Sequence, residues 1–283
     1  MCVCDNRGMH ASDLSRRRTV FRRLHESGCF LIPNPWDAGS THVLEGLGFK
    51  ALATTSSGFA WSRARPDHGA DVEAVLAHCR EIVAATNLPV SADFENGYAH
   101  NLDGLKNNVR RCVETGVAGL SIEDATGDAS QPLYDFDEAV ARLRAARAAI
   151  DATGTDVMLV ARAECFLVGH PDPLNESIKR LRAYAAAGAD CLFAPGVREP
   201  EQIRAIVTAV APKPVNVLVG YPVTLALTDF AKLGVRRVSV GGALAGAAWG
   251  AFLRAARGLA DGRFDAFAHN ASHGEVDKLF GSR

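Results

Sequence analysis

Eight short apolar runs recur along almost the whole chain, and most are followed by a longer stretch whose apolar residues recur three and four apart. Short apolar runs mark strands, and the three-to-four spacing marks the buried face of a helix. Strict alternation of the two implies a parallel sheet, because a parallel neighbour is reached only by a crossover long enough to hold a helix. The runs read as strands over 29–36, 51–58, 88–95, 117–124, 155–164, 189–196, 213–220 and 235–242. Eight near-equal units, with no G-x-G-x-x-G after the first strand, predict a closed (β/α)8 TIM-type barrel.

The intervening segments DVEAVLAHCREIVAATN, DFDEAVARLRAARAAIDATG and NESIKRLRAYAAAG carry the helical pattern, and a Gly or Asn often ends the run. At 283 residues the chain fits one barrel domain over 18–283, with residues 1–17 as an N-terminal extension. A further helix is expected from Ala245 to about Leu259, then loops and a short final helix. Phe264, Phe267, Val276, Leu279 and Phe280 in that tail are expected to cover a barrel edge or a neighbouring subunit.

A formal net charge of -1 provides no broad positive field, and Arg16, Arg17, Arg18, Arg22 and Arg23 form an isolated basic run, which argues against nucleic acid as a partner. Seven cysteines, an odd number scattered without a repeated metal spacing, read as reduced thiols; Cys2 and Cys4 have no second ligand pair to complete a zinc site. No stretch reaches the roughly 18 apolar residues that span a bilayer, so no membrane association and a cytoplasmic location are expected.

In a barrel of this kind the chemistry sits at the C-terminal ends of the strands. Here those ends carry Asp93 and Glu95 (strand three), Glu123 and Asp124 (strand four), Asp67 in the loop after strand two, and Asp37 near the end of strand one. Residues two apart on a strand point the same way, so Asp93 and Glu95 are expected to enter the mouth together or not at all. Carboxylates converging on a mouth repel unless protonated or bridged by a cation, and an oxygen-rich set without paired His or Cys suits Mg²⁺, with Mn²⁺ as a substitute. The plainer alternative is that each acid caps a helix or forms an ion pair. Arg162, at the end of strand five, suits bidentate capture of a carboxylate, or else pairs with Glu164. The turn Thr55–Phe59 offers hydroxyls, free backbone N–H groups and a glycine as an oxyanion seat. Val240-Gly241-Gly242 reads as a tight turn, and Cys165 as a structural thiol.

Five segments at successive strand ends, PNPWDAGS (33–40), TTSSGFA (54–60), ADFENGY (92–98), SIED (121–124) and VARAE (160–164), resemble the isocitrate lyase and phosphoenolpyruvate mutase superfamily, from about Arg18 to Leu259. The resemblance implies Mg²⁺ on Asp93, with Asp67, Glu95 and Glu123 holding its waters. It also implies a substrate carboxylate on Ser57, Gly58 and Phe59, a role for Arg162, and a substrate contact from Asn216. Asp67, Glu123 and Arg162 are the implied catalytic set. It further implies cleavage or formation of a bond to C3 of a pyruvate-like unit through a metal-stabilised enolate, and assembly as a homodimer or homotetramer with the last helix swapped between subunits. The sequence departs from the pattern at the loop after strand four, ATGDASQPLYD, which lacks the Cys-Gly-His element of the isocitrate and methylisocitrate lyases. Ala125 and Pro195 replace the Lys and His of the phosphonate-processing members. Tyr98, His68, Tyr134 and Asp128 are the remaining candidates for proton transfer.

These features lead to a Mg²⁺-dependent lyase cleaving a carbon–carbon bond of a small 2-oxo or 2-hydroxy dicarboxylic acid, as in methylisocitrate lyase or oxaloacetate decarboxylase. The alternatives are a phosphorus–carbon mutase or hydrolase acting on phosphonopyruvate or a carboxyphosphonate, and a non-catalytic 2-oxo acid binder.

Overall fold

The structure, a computed structural model, describes residues 11–281. Cys2 and Cys4 lie outside them. All eight expected strands form: β1 Phe30–Ile32, β2 Leu52–Ala53, β3 Val90–Asp93, β4 Gly119–Glu123, β5 Met158–Arg162, β6 Cys191–Phe193, β7 Val215–Leu218 and β8 Arg237–Ser239. They pair in parallel, in the order β1-β8-β7-β6-β5-β4-β3-β2. The seam between β1 and β2 is bridged by the Ala53 N–H donating to the Pro33 carbonyl at 3.1 Å, so the barrel is nearly closed.

Helices α1 Ala11–Leu24, α2 Ala38–Gly46, α3 Ser56–Ser62, α4 Val72–Ala84, α5 Leu102–Glu114, α6 Phe136–Asp151, α7 Pro173–Ala186, α8 Pro200–Val210, α9 Leu227–Lys232, α10 Ala243–Ala260 and α11 His273–Phe280 complete the chain, with a 3-10 turn at Asp265–His269. Strand two is shorter than the apolar run suggests. Thr55 is extended and its side chain accepts from the Gly58 N–H, so it caps α3 and ends the strand before Ser56.

The basic run near the start is structural. Helix α1 runs across the boundary expected at 17/18, and both Arg17 and Arg18 are buried. Arg17 donates to the Val83 carbonyl, and Arg18 to those of Val117 and Val113, so the forks satisfy carbonyls at the C-terminal ends of α4 and α5 and in the connection into β4. Phe21 packs beneath the barrel with Ile32, Ala51, Ala118 and Met158. Gly119 is required there, because a Cβ would stand 2.7 Å from the Phe21 ring.

The PNPWDAGS segment has a similar task at the other end. The Asn34 amide donates to the Thr54 carbonyl, and its oxygen accepts from the N–H groups of Val240 and Gly241, tying the ends of β1, β2 and β8 together. Asp37 does not join the mouth; it caps α2 in a reciprocal pair with Ser40. In this single chain Phe264, Phe267, Val276, Leu279 and Phe280 stay exposed, as do Trp249 and Phe252 on α10. Among the described residues no helix is long and apolar enough to cross a membrane.

Candidate active site

A cavity of about 180 Å³ opens among the strand ends, and Asn34, Ser57, Asp67, Asp93, Arg162 and Asn216 stand among its walls. Its centre is an ion cluster. The Arg162 Nη1 lies 2.6 Å from Asp93 Oδ1 and 3.1 Å from Glu123 Oε2, and its Nε donates to Glu164 Oε1 at 2.9 Å. The pair with Glu164 expected as the plainer reading therefore forms, while Arg162 also faces the cavity above the Phe193 ring. Arg162 Nη2 makes no hydrogen bond among the described residues. Asp93 is further fixed by the Ser56 N–H at 2.9 Å and by its own N–H donating to Thr54 Oγ1 at 2.8 Å.

The field in this cluster is uneven. Burial pushes the Glu123 carboxyl well above the usual range, with Glu164, Asp93 and Glu95 adding to the shift against the pull of Arg162. Burial also raises Glu164. Although burial opposes its charge, Arg162 is held more firmly protonated by Glu123, Glu164 and Asp93. Glu123 Oε2 is buried without a hydrogen bond, its one compensation being the Arg162 charge.

Asp93 and Glu95 do not follow strand alternation, because β3 ends at Asp93 and Glu95 takes a left-handed backbone, φ 42°. Asp93 faces the cavity, while Glu95 turns to His68, whose Nδ1 is 3.3 Å from Glu95 Oε2. Ligand atoms of Asp67, His68 and Glu95 all lie within 4.8 Å of one another. Hydrogen bonding to Glu95 raises His68 to about 9, so its imidazole is charged at neutral pH. Asp124 points the opposite way from Glu123 and is a buried anchor: it accepts from the Glu164 N–H, from Arg180 and from the Tyr184 hydroxyl.

The Ser-Gly turn differs from expectation in detail. Ser57 reaches the cavity wall, but Gly58 and Phe59 lie behind it, and Phe59 stacks on His78. The backbone N–H groups read as free are mostly used. That of Ser56 goes to Asp93, that of Gly58 to the Thr55 hydroxyl and that of Phe59 to the Thr55 carbonyl. Gly58 serves close packing, since a Cβ would meet Thr55 at 2.7 Å and Ala245 at 3.1 Å.

Three of the four proton-transfer candidates have other duties. Asp128 is exposed and caps its own turn through Ser130. Tyr134 lies under the Arg142 guanidinium, which also clamps the carbonyls of Asn96, Ala99 and His100. Tyr98 packs against Phe94, and burial raises its phenol. His68 stands beside the rim carboxylates at the exposed edge, and the buried Tyr98 hydroxyl faces Glu95 and Asp93 from behind. Cys165 is buried and its thiol raised to about 11, consistent with a structural role.

Sequence reasoning missed the cavity floor, where Arg237 and Ser239 stand next to Asn216. The Arg237 Nε donates to Asn216 Oδ1 at 2.8 Å, and Asn216 Nδ2 donates to Ser239 Oγ at 2.9 Å. Parity supplied only part of the signal: in VRRVSVGG, Arg237 and Ser239 share one face and Arg236 takes the other, but parity does not say which face points inward.

Comparisons with known proteins give the family and support the fold. The family model for phosphoenolpyruvate phosphomutase matches residues 21–260. A solved structure from Burkholderia cenocepacia, given as a candidate lyase or mutase, superposes with a TM-score of 0.91 at 45% identity, covering 96% of this chain and 98% of its own. An oxaloacetate decarboxylase of Rhodopseudomonas palustris is 32% identical over 263 residues, 88% of this chain and 86% of the relative. An uncharacterised protein of Mycobacterium tuberculosis is 34% identical over 245 residues, 86% of this chain and 89% of the relative.

Proposed function

The chain belongs to the phosphoenolpyruvate phosphomutase family, and from that premise we propose that it is a Mg²⁺-dependent lyase cleaving a carbon–carbon bond of a small 2-oxo or 2-hydroxy dicarboxylic acid through an enolate. The observation that carries this reading is the convergence of Asp93, Glu123 and Glu164 on one guanidinium at the strand ends, with Asp67 and Glu95 beside them. The likeness to an oxaloacetate decarboxylase favours carbon–carbon over phosphorus–carbon chemistry.

The residues present fit a hard divalent cation. The donors are carboxylate oxygens, and the buried Glu123 Oε2 lacks a hydrogen bond that a cation or its water would supply. Asp93 would hold the ion directly, with Asp67, Glu95 and Glu123 around it; Mn²⁺ suits the same donors. When bound, the ion supplies a Lewis acid that lowers the cost of negative charge developing on the substrate's 2-oxygen.

The remaining work falls to the chain. Arg162, through its unbonded Nη2, and Ser57 orient a substrate carboxylate, and Asn216 contacts the far end. Phe193 and Leu167 line the cavity and keep water from the reacting carbon. His68 holds a proton at the rim and is the group able to deliver it. The chain is expected to assemble as a homodimer or homotetramer through the exposed faces of α10 and α11.

The test is turnover of oxaloacetate and substituted malates by the purified protein, with Mg²⁺ and with chelator, alongside Asp93→Ala. Loss of turnover in Asp93→Ala and with chelator is expected. Inactivity of the wild type across the panel, or full activity of Asp93→Ala, overturns the reading; phosphate release from phosphonopyruvate moves it to phosphorus–carbon chemistry.

A further inference from the structure

The other buried arginines among the described residues have most of their donors answered, although Arg17 and Arg142 each leave Nε without a partner. Arg17, Arg18 and Arg142 donate to backbone carbonyls, Arg180 pairs with Asp124, and Arg162 pairs with three carboxylates. Arg237 is different. It is 5% exposed and lines the cavity, yet its single hydrogen bond runs from Nε to Asn216, and Nη1 is buried with no partner. Among the described residues it makes no ion pair. Its field falls on Cys191 and His25, both kept neutral by burial.

A guanidinium is not discharged by burial as a lysine is, so its charge persists and an anion brought to it relieves the desolvation cost. Position makes the site reachable. Arg237 lies two residues before Ser239 and four before Gly241 on the cavity wall, which puts it at the floor. Asn216 and Ser239 stand beside it, already linked to each other, so an anion there meets a fork of N–H groups flanked by an amide and a hydroxyl.

We infer that Arg237, with Ser239, forms a second anion subsite on the cavity floor that receives the distal carboxylate of a dicarboxylate substrate, while the first carboxylate and the 2-oxygen stay at the rim. This rests on the lyase reading for the substrate's other end. Arg237 would then be a specificity-determining residue, selecting diacids over monoacids of equal length.

The test is calorimetric titration of the purified full chain, in Mg²⁺, with succinate and with butyrate, which share a four-carbon chain and differ by one carboxylate. The wild type is expected to prefer succinate. Arg237→Met should weaken succinate by about 30-fold or more, the usual loss on truncating one side of a buried charge pair, and leave butyrate unchanged. Arg237→Lys should recover part of the loss. Equal binding of the two acids by the wild type, which needs no variant to fold, overturns the subsite, as does no succinate binding at millimolar concentration. An equal loss for both acids in Arg237→Met overturns it too. Oxaloacetate turnover with unchanged KM in that variant overturns the subsite and leaves the lyase reading standing. Arg237-dependent succinate binding without turnover of any 2-oxo or 2-hydroxy acid supports the subsite and overturns the lyase reading.

Discussion

Replacing Arg162 by methionine keeps most of the side-chain volume and removes the one charge that Asp93, Glu123 and Glu164 share. Breaking a buried ion pair on one side costs about 3–5 kcal/mol, and the lower end applies because Arg162 is 14% exposed to the cavity. In a chain of this size each kcal/mol moves Tm by roughly 2–4 °C, so a fall of about 6–12 °C at pH 7.5 is expected. The deficit must depend on pH. Burial already raises Glu123 and Glu164, and Arg162 is what pulls both back, so in the variant both rise further. The folded variant then binds more protons than the unfolded chain, whose carboxylates titrate near 4.3, and stability increases as pH falls. Between pH 7.5 and 5.5 each such group returns up to about 2.7 kcal/mol. Added Mg²⁺ should likewise stabilise the variant more than the wild type, because the ion substitutes for the lost charge. Urea denaturation at both pH values, with and without Mg²⁺, measures all three effects. A variant as stable as the wild type at pH 7.5, or one whose deficit is the same at pH 5.5, refutes the assignment of Arg162 as the counter-charge of the cluster.

Asp124→Asn should cost about 3–5 kcal/mol in denaturant, because Arg180 and the Tyr184 hydroxyl lose their buried acceptor. His25 is buried and lowered to about 3, so below 6.5 the unfolded chain binds a proton that the folded one refuses, and stability falls with pH. His25→Phe should therefore flatten the stability profile by about 2.3 kcal/mol between pH 6.5 and 4.5, read as the difference between the two denaturation curves. Gly242→Ala would drive a Cβ to 2.6 Å from Ser57 Oγ and 3.1 Å from Trp61, so about 1–3 kcal/mol of destabilisation and a raised KM are expected, measured by thermal melts and steady-state kinetics.

The barrel was legible because its code is redundant. Eight strands and the seven crossovers that link them each repeat the same periodicities, and an error in one boundary does not alter the count. Errors arose where a single side chain overrides the local pattern. Thr54 and Thr55 have strand propensity, but the Thr55 side chain accepts the Gly58 N–H and starts a helix. Asp37 looks like a strand-end ligand, but Ser40 stands three residues on and completes a cap. The joint orientation of Asp93 and Glu95 assumed a strand that continues, whereas the backbone turns left-handed at Glu95. Arg237 escaped notice for another reason: LGVRR reads as a helix stop feeding a strand, and which of two adjacent arginines faces inward depends on a register that only the packed sheet fixes. Arg236, its neighbour, donates outside the barrel to the Gly28 carbonyl.

The charges in the cavity are arranged in depth, and this constrains how an acid can lie in it. At the rim, Asp67, Asp93, Glu95, Glu123 and Glu164 face two cations, Arg162 and the protonated His68, so acids are in excess even with some carboxyls holding protons. An incoming dianion is repelled there unless a divalent cation balances the mouth, so on the proposed lyase reading metal binding would be a condition for substrate entry as well as for the chemistry. At the floor the balance is reversed, with one buried guanidinium and no acid beside it among the described residues. A monoacid bound at the rim leaves that cation uncompensated, and a diacid reaching both ends neutralises it. On the proposed reading the same polarity would orient the substrate: the end bearing the 2-oxygen would stay with the rim carboxylates and a cation held by them, and the other end would descend to Arg237.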